Sequence, residues 1–140
     1  MRHLDRDDIY AFLSEGTRTG KLATTRADGR PHTVPVWFVV DGDDLVFMTM
    51  DTSVKGRNMV RDNRVALTVD DEDFPYGYVI VEGTVELTHD VDKLEWATRI
   101  ARRYVPEDMV EFTGKRNAHP QEYVVRLTPT KLLGRTEIAS

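Results

Sequence analysis

Apolar and polar positions alternate along much of this chain, interrupted by short stretches at helical spacing. Ile9, Phe12 and Leu13 recur at helical spacing after Asp5, a side chain suited to N-capping, and Gly16 stands where a C-cap glycine would. Residues 21–26 show modest alternation with β-branched content and predict a strand. Asp28-Gly29 is a hairpin-turn signal. The apolar run 34–40 reads as a strand buried on both faces. Pro35 within it implies a sheet edge or a bulge, since proline cannot donate to a ladder. A second turn at 41–44 leads into a strand over 45–50. Three consecutive strands joined by Asp-Gly turns predict an antiparallel meander.

Ser53 then caps a short helix running to about Asp62, and residues 64–69 return as a strand. Asp70-Asp71-Glu72-Asp73, with Pro75 and Gly77, reads as an acidic loop. Residues 78–87 form a long strand in which Gly83 invites a bulge. Asp90 is the expected cap of the clearest helix, with Leu94, Ala97, Ile100, Ala101 and Tyr104 on one stripe and Pro106 past its end. Residues 107–112 add one or two helical turns. Residues 122–127 and 131–135 read as two strands around Pro129. Six or seven strands with a few short helices predict a mainly β protein, a β-barrel with helical additions. No repeat or linker divides the chain, so residues 1–140 form one domain.

Composition narrows the function. The 140 residues are 40% hydrophobic and 31% charged, enough for one core and too apolar for disorder. The absence of cysteine excludes disulfides, thiol catalysis and Cys-ligated zinc or iron–sulfur clusters, and fits a cytoplasmic protein. The N-terminus is charged, and no apolar run approaches the roughly 20 residues that span a bilayer. Neither a signal peptide nor a membrane association is therefore expected. A net charge of −5 argues against general nucleic-acid binding.

Against that acidic background, residues 49–64 concentrate Lys55, Arg57, Arg61 and Arg64, with the hydroxyls of Thr49, Thr52 and Ser53 at a strand-to-helix junction. A helix N-terminus offers unpaired N–H groups and partial positive charge. Adjacent cations and hydroxyls make it suited to a phosphate, and Gly56 permits close approach to the backbone. The alternative is a capped surface helix with solvated basic residues. Neither a Walker loop nor a G-x-G-x-x-G fingerprint is present. His32 is expected to be a solvent-facing strand residue rather than a cofactor contact, and His89 and His119 to be surface residues near turns. The run 70–73 lacks calcium-loop spacing and reads as solvated, so no metal site is assigned. Trp37 packs on a ligand ring or in the core, and Trp96, off its helix's main stripe, fills a side pocket or a dimer contact. Tyr76 and Tyr78 flank Gly77 with no identifiable partner. No catalytic residue or general acid can be named from spacing.

The order of blocks carries more information than any block alone. Gly20-Lys21-Leu22-Ala23-Thr24-Thr25, Asp28-Gly29-Arg30-Pro31-His32-Thr33-Val34-Pro35-Val36-Trp37-Phe38, Leu45-Val46-Phe47-Met48-Thr49, Lys55-Gly56-Arg57-Asn58-Met59 and Arg61-Asp62-Asn63-Arg64-Val65-Ala66-Leu67 follow one another across nearly the whole chain. This succession resembles the pyridoxamine 5′-phosphate oxidase-like split-barrel superfamily, and within it the short flavin/deazaflavin oxidoreductases. The resemblance implies a six-stranded antiparallel split β-barrel of the FMN-binding type and a homodimer with a cofactor groove at its interface. It implies that Lys55 and Arg57 hold the cofactor phosphate with Ser53 and Thr49 as hydrogen-bond partners, and that Pro35, Val36 and Trp37 lie against the tricyclic ring. The pattern is more similar to members that bind the deazaflavin coenzyme F420 and pass its hydride to a small electron-poor substrate. FMN-dependent chemistry, or binding of flavin, deazaflavin or haem without turnover, are the alternatives. The chain end Leu132-Leu133-Gly134-Arg135-Thr136-Glu137 lacks the Arg/His substrate motif of the vitamin B6 oxidases, which argues against that reaction.

Overall fold

A computed structural model describes residues 1–140 and gathers the strands into one curled antiparallel sheet. The strands are β1 (Arg2–His3), β2 (Gly20–Thr25), β3 (Pro31–Val36), β4 (Phe38–Asp41), β5 (Asp44–Met50), β6 (Arg64–Asp71), β7 (Gly77–Thr88) and β8 (Glu122–Thr136). The helices are α1 (Arg6–Ser14), α2 (Val54–Arg61), α3 (Lys93–Tyr104) and α4 (Val110–Asn117). The sheet order is β3-β2-β6-β7-β8-β5-β4, with β1 beside the end of β8. This is an open split β-barrel with short helices, as the family resemblance implies, but seven strands rather than its six lie on the hydrogen-bonded path, within the six or seven that the residue pattern predicts.

The extra strand arises at Trp37. The apolar run expected as one strand is divided there into β3 and β4, which do not pair with each other and form the two edges of the sheet. One residue thus links edge to edge, so the sheet must curl until its edges meet at Trp37. No three-stranded meander exists, because β2–β3 and β4–β5 are separate hairpins. Nor is the run buried on both faces: Val36 and Phe38 point into the core while Pro35 and Trp37 are exposed. Pro35 does lie on an edge strand, opposite Lys21 of β2. At the other end, the two strands expected around Pro129 are one 15-residue strand. The register of β7 against β8 shifts at Glu82/Gly83, so Gly83 faces Pro129 across a bulge. A Cβ on Gly83 would fall onto the Thr128 carbonyl oxygen.

Helix α1 is capped by Asp5, whose Oδ1 accepts the Asp8 N–H at 2.9 Å, and it drives Ile9, Phe12 and Leu13 into the core. Helix α3 starts later than expected. Asp92, not Asp90, caps it by accepting the Glu95 N–H at 3.0 Å, while the Asp90 N–H is taken by the Thr88 hydroxyl. Leu94 is consequently exposed, and the buried stripe is Ala97, Ile100 and Ala101. After Pro106 a 3-10 turn (Glu107–Met109) leads into α4, more helix than the sequence predicts.

Arg103 and Tyr104 at the end of α3 fix the edge-to-edge corner. Arg103 donates to the carbonyls of Leu13 (2.7 Å), Gly16 (2.9 Å) and Phe38 (2.8 Å), satisfying orphan carbonyls at the end of α1. The Tyr104 hydroxyl donates to the Arg18 carbonyl at 2.8 Å, and its ring stacks on Trp37 with centroids 5.1 Å apart and planes 8° apart. Trp37 is therefore held in one orientation although it is exposed. No helix is long and apolar enough to cross a membrane.

Candidate cofactor-binding site

The Trp37 corner, the start of α2 and the start of β8 face one another across a cavity of about 290 Å³. Pro35, Val36 and Trp37, with Met48 of β5 and Ala97 and Ile100 of α3, supply an apolar wall. Lys55, Asn117 and Glu122 supply the polar side. An apolar wall faced by a few convergent polar groups is a usual form of a small-molecule site.

The start of α2 is built by hydroxyls. Ser53 donates to the Met50 carbonyl at 2.7 Å and accepts the Gly56 N–H at 3.0 Å, which makes it the N-cap. Its single proton is thereby committed, so in the 2.7 Å contact between the two hydroxyls Thr49 is the donor. Gly56 is required at this close approach, because a Cβ there would meet the Met50 carbonyl oxygen at 2.7 Å. Asn58, 4% exposed, anchors the helix to β2 by donating to the Thr24 hydroxyl at 3.0 Å. The N–H groups of Val54 and Lys55 precede the first helical bond, which runs from the Arg57 N–H to the Ser53 carbonyl at 3.0 Å.

Lys55 is half-buried, and burial holds its amine below the ordinary lysine range, an effect partly offset by Glu122. Glu122 shows the opposite displacement. Burial raises its carboxyl above the usual carboxylate range, while Lys55, His119 and Lys93 pull it down and Asp51 pushes it up. The Glu122 Oε2 is enclosed and has no hydrogen-bond partner. Lys93 is instead directed at the His89 ring (2.9 Å) and the Pro120 carbonyl, and Asp51 lies 3.2 Å from His89.

Four of the residues singled out in the sequence, Pro35, Val36, Trp37 and Lys55, therefore line one cavity. Thr49 and Ser53 sit behind it and shape the start of α2. Thr49 is only 3% exposed. Arg57 is exposed and lies outside the cavity, two positions along α2 from Lys55, where side chains do not share a face. Sequence reasoning missed Met48, Asn117 and Glu122, and assigned Ala97 and Ile100 only to the core. No local signal marks Glu122, which reaches Lys55 only through the pairing of β8 with β5.

The remaining candidates lie elsewhere. His32 is half-buried rather than solvent-facing, with Nδ1 enclosed and unpartnered. His89 is exposed and stacks on Tyr123, and His119 accepts the Gln121 N–H at 3.1 Å. Asp70 and Asp71 belong to β6 rather than to a solvated loop, and pair with Lys21 (2.8 Å) and Arg18 (3.2 Å). Trp96 is covered by the guanidinium groups of Arg99 and Arg126, 4.2 and 5.7 Å from its ring centroid. Tyr76 and Tyr78 do not line the cavity.

A curled antiparallel sheet whose edges meet beside a capped basic helix, with a mixed apolar and charged cavity between them, defines the split-barrel class. The chain belongs to the pyridoxamine 5′-phosphate oxidase family, whose model matches residues 6–135. Among solved structures it is similar to an F420 reductase, at 30% identity and a TM-score of 0.71, over 86% of this chain and 92% of that one. A conserved hypothetical protein from Mycobacterium tuberculosis shares the fold, with a TM-score of 0.77 at 24% identity over 92% of this chain and 82% of that chain. A 5a,11a-dehydrotetracycline/5a,11a-dehydrooxytetracycline reductase of Streptomyces rimosus is 43% identical over 56 residues. That match spans 37% of this chain and 39% of the relative, well under half of either.

Proposed function

We propose that this protein is a flavin/deazaflavin-type oxidoreductase that uses reduced F420 to reduce a small conjugated organic substrate. The observation that carries the reading is the meeting of the Pro35-Val36-Trp37 wall and Lys55 in one cavity. The similarity to a protein named as an F420 reductase, over 86% of this chain, supports F420 over FMN.

The residues fit such a cofactor. Trp37, clamped on one face by Tyr104, offers a rigid apolar surface for a flat ring. Lys55, in the first turn of α2, carries a partly desolvated ammonium with no ion pair inside the protein. Lys55, with Arg57 reaching from outside the cavity, would hold the phosphate. Thr49 and Ser53 act one step back by fixing where α2 begins. When bound, the reduced deazaflavin supplies a hydride. The protein binds and orients the ring, and Met48, Ala97 and Ile100 exclude water from one side of the cavity.

A cavity of about 290 Å³ is at the small end for a ligand of this kind and encloses only part of it. The rest of the groove is supplied by a second copy of the chain, so the working form is a homodimer. Fluorescence titration of the apo-protein with F420 and with FMN tests the cofactor. Tight F420 binding and oxidation of the reduced form on adding substrate are expected; binding of neither cofactor overturns the reading. Light scattering tests the dimer.

A further inference from the structure

Glu122 stands where its backbone alone does the structural work. Its N–H donates to the His119 carbonyl at 2.9 Å, and its carbonyl faces His89 Nδ1 at 3.0 Å. The side chain contributes to neither contact. It enters the cavity across from Lys55, and its Oε2 is enclosed without a donor. An enclosed, unpaired carboxylate oxygen is costly, and a protein selected only for stability would place a neutral or apolar group here. The other charges facing Glu122 are Lys93 of α3, His119 of the loop before β8, and Asp51 before α2. Lys93 and Asp51 are occupied with His89. Inside the cavity, one cation is therefore opposed by one anion.

This arrangement bears on which phosphate the site accepts, and the argument rests on the cofactor reading above. F420 carries its phosphate as a diester with one negative charge. FMN carries a monoester, which gains a second charge above about pH 6. A carboxylate in the same cavity repels the first charge in both ligands and the second only in FMN. We propose that Glu122 is a specificity-determining residue that opposes Lys55 and selects a singly charged phosphodiester cofactor over a doubly charged phosphomonoester.

The test is fluorescence titration of wild type and Glu122→Gln with F420 and FMN, at about pH 5 and about pH 8, on either side of the monoester's second ionisation. The quantity read is the ratio of the FMN and F420 dissociation constants, which cancels contacts common to both cofactors. At about pH 5, where both phosphates carry one charge, Glu122→Gln leaves this ratio unchanged. In Glu122→Gln both cofactors bind more tightly at about pH 8, and the ratio falls about tenfold or more, because the monoester is relieved of one additional unit of repulsion at short range. An unchanged ratio at about pH 8 in a Glu122→Gln protein of wild-type thermal stability overturns the proposal. Should Glu122→Gln fail to fold, Glu122→Ala is read in the same way, and an unchanged ratio in that protein overturns the proposal. If wild type binds neither cofactor, the cofactor reading itself fails, a result distinct from equal binding of both.

Discussion

Replacing Lys55 by Met separates a binding residue from a structural one. The substitution keeps most of the stem that packs at the cavity edge and removes the ammonium. In the ligand-free protein that ammonium is a burden: burial depresses its pKa and no carboxylate lies within ion-pair distance. The linkage sign follows. The unfolded chain holds this proton more tightly than the folded one, so the lysine destabilises the fold fully below its folded-state pKa. The penalty fades only as pH rises toward the ordinary lysine value. At neutral pH, Lys55→Met therefore unfolds at the same temperature as wild type or higher. The opposing effect is modest: Glu122 loses the cation that lowers it most, and its carboxyl rises further. Cofactor binding moves the other way. A lost charge-assisted hydrogen bond of about 1.5–3 kcal/mol weakens affinity by roughly ten- to a hundredfold. Thermal unfolding without ligand and fluorescence titration with F420 read the two effects separately. Unchanged affinity would refute the assignment of Lys55 to the phosphate. A drop in stability of more than about 1 kcal/mol would show that the lysine is structural after all.

Trp37→Leu should remove the component of tryptophan emission that cofactor binding quenches, leaving Trp96 insensitive, and should cost about 0.5–1.5 kcal/mol of stability through the lost stacking on Tyr104; quenching of equal depth in the variant would move the ring elsewhere. Gly83→Ala should destabilise by about 3 kcal/mol or more, since the new Cβ collides with a backbone carbonyl in the β7–β8 bulge; a wild-type melting temperature would show that the bulge can shift. Asp41→Ala should cost about 0.5–1 kcal/mol, because the side chain is partly exposed although it accepts from Arg126 at 2.8 Å and Arg99 at 3.3 Å. Arg126 holds the Asp41 carboxyl below its ordinary value, so this contribution is full above the unfolded-state value and lost as pH falls through the folded one. A wild-type acid-unfolding midpoint for Asp41→Ala would contradict this.

The elements were legible where local chemistry decides them. Asp5 and Ser53 cap the helices expected of them, and Gly83 marks the bulge. The failures have physical causes too. The run 34–40 looks like one strand because every residue in it is apolar, and nothing local states that Trp37 is the corner where the sheet changes edges. Its partner in that role, Tyr104, lies far along the chain and is recognisable only once the rings are stacked. Asp90 and Asp92 are both competent caps, and the choice between them depends on which carboxylate reaches the N–H three residues on. Two strands were expected around Pro129 because proline interrupts a ladder. In β8 it falls at the register shift instead. The capped basic helix start at residues 49–57 is legible in the sequence, but which of its groups face the cavity is not. The hydroxyls of Thr49 and Ser53 look like ligands in sequence, yet they satisfy each other and the backbone.

What distinguishes the cavity from the rest of the molecule is how its charges are treated. Elsewhere, a partly buried charge is matched with a partner. Arg103 is spread over carbonyls of α1 and β4, Arg126 bridges Asp41 and Asp44, Arg18 meets Asp71, and Lys21 meets Asp70. Lys55 and Glu122 are the departures: each is half-buried, each is shifted toward its neutral form by burial, and they lie in one cavity without pairing. Two such charges raise the energy of the empty fold, and closing them into an ion pair would relieve it. That the chain keeps them apart, on α2 and β8, with a stacked tryptophan completing the wall, is the arrangement expected where a ligand supplies the missing counter-charge and hydrogen bonds.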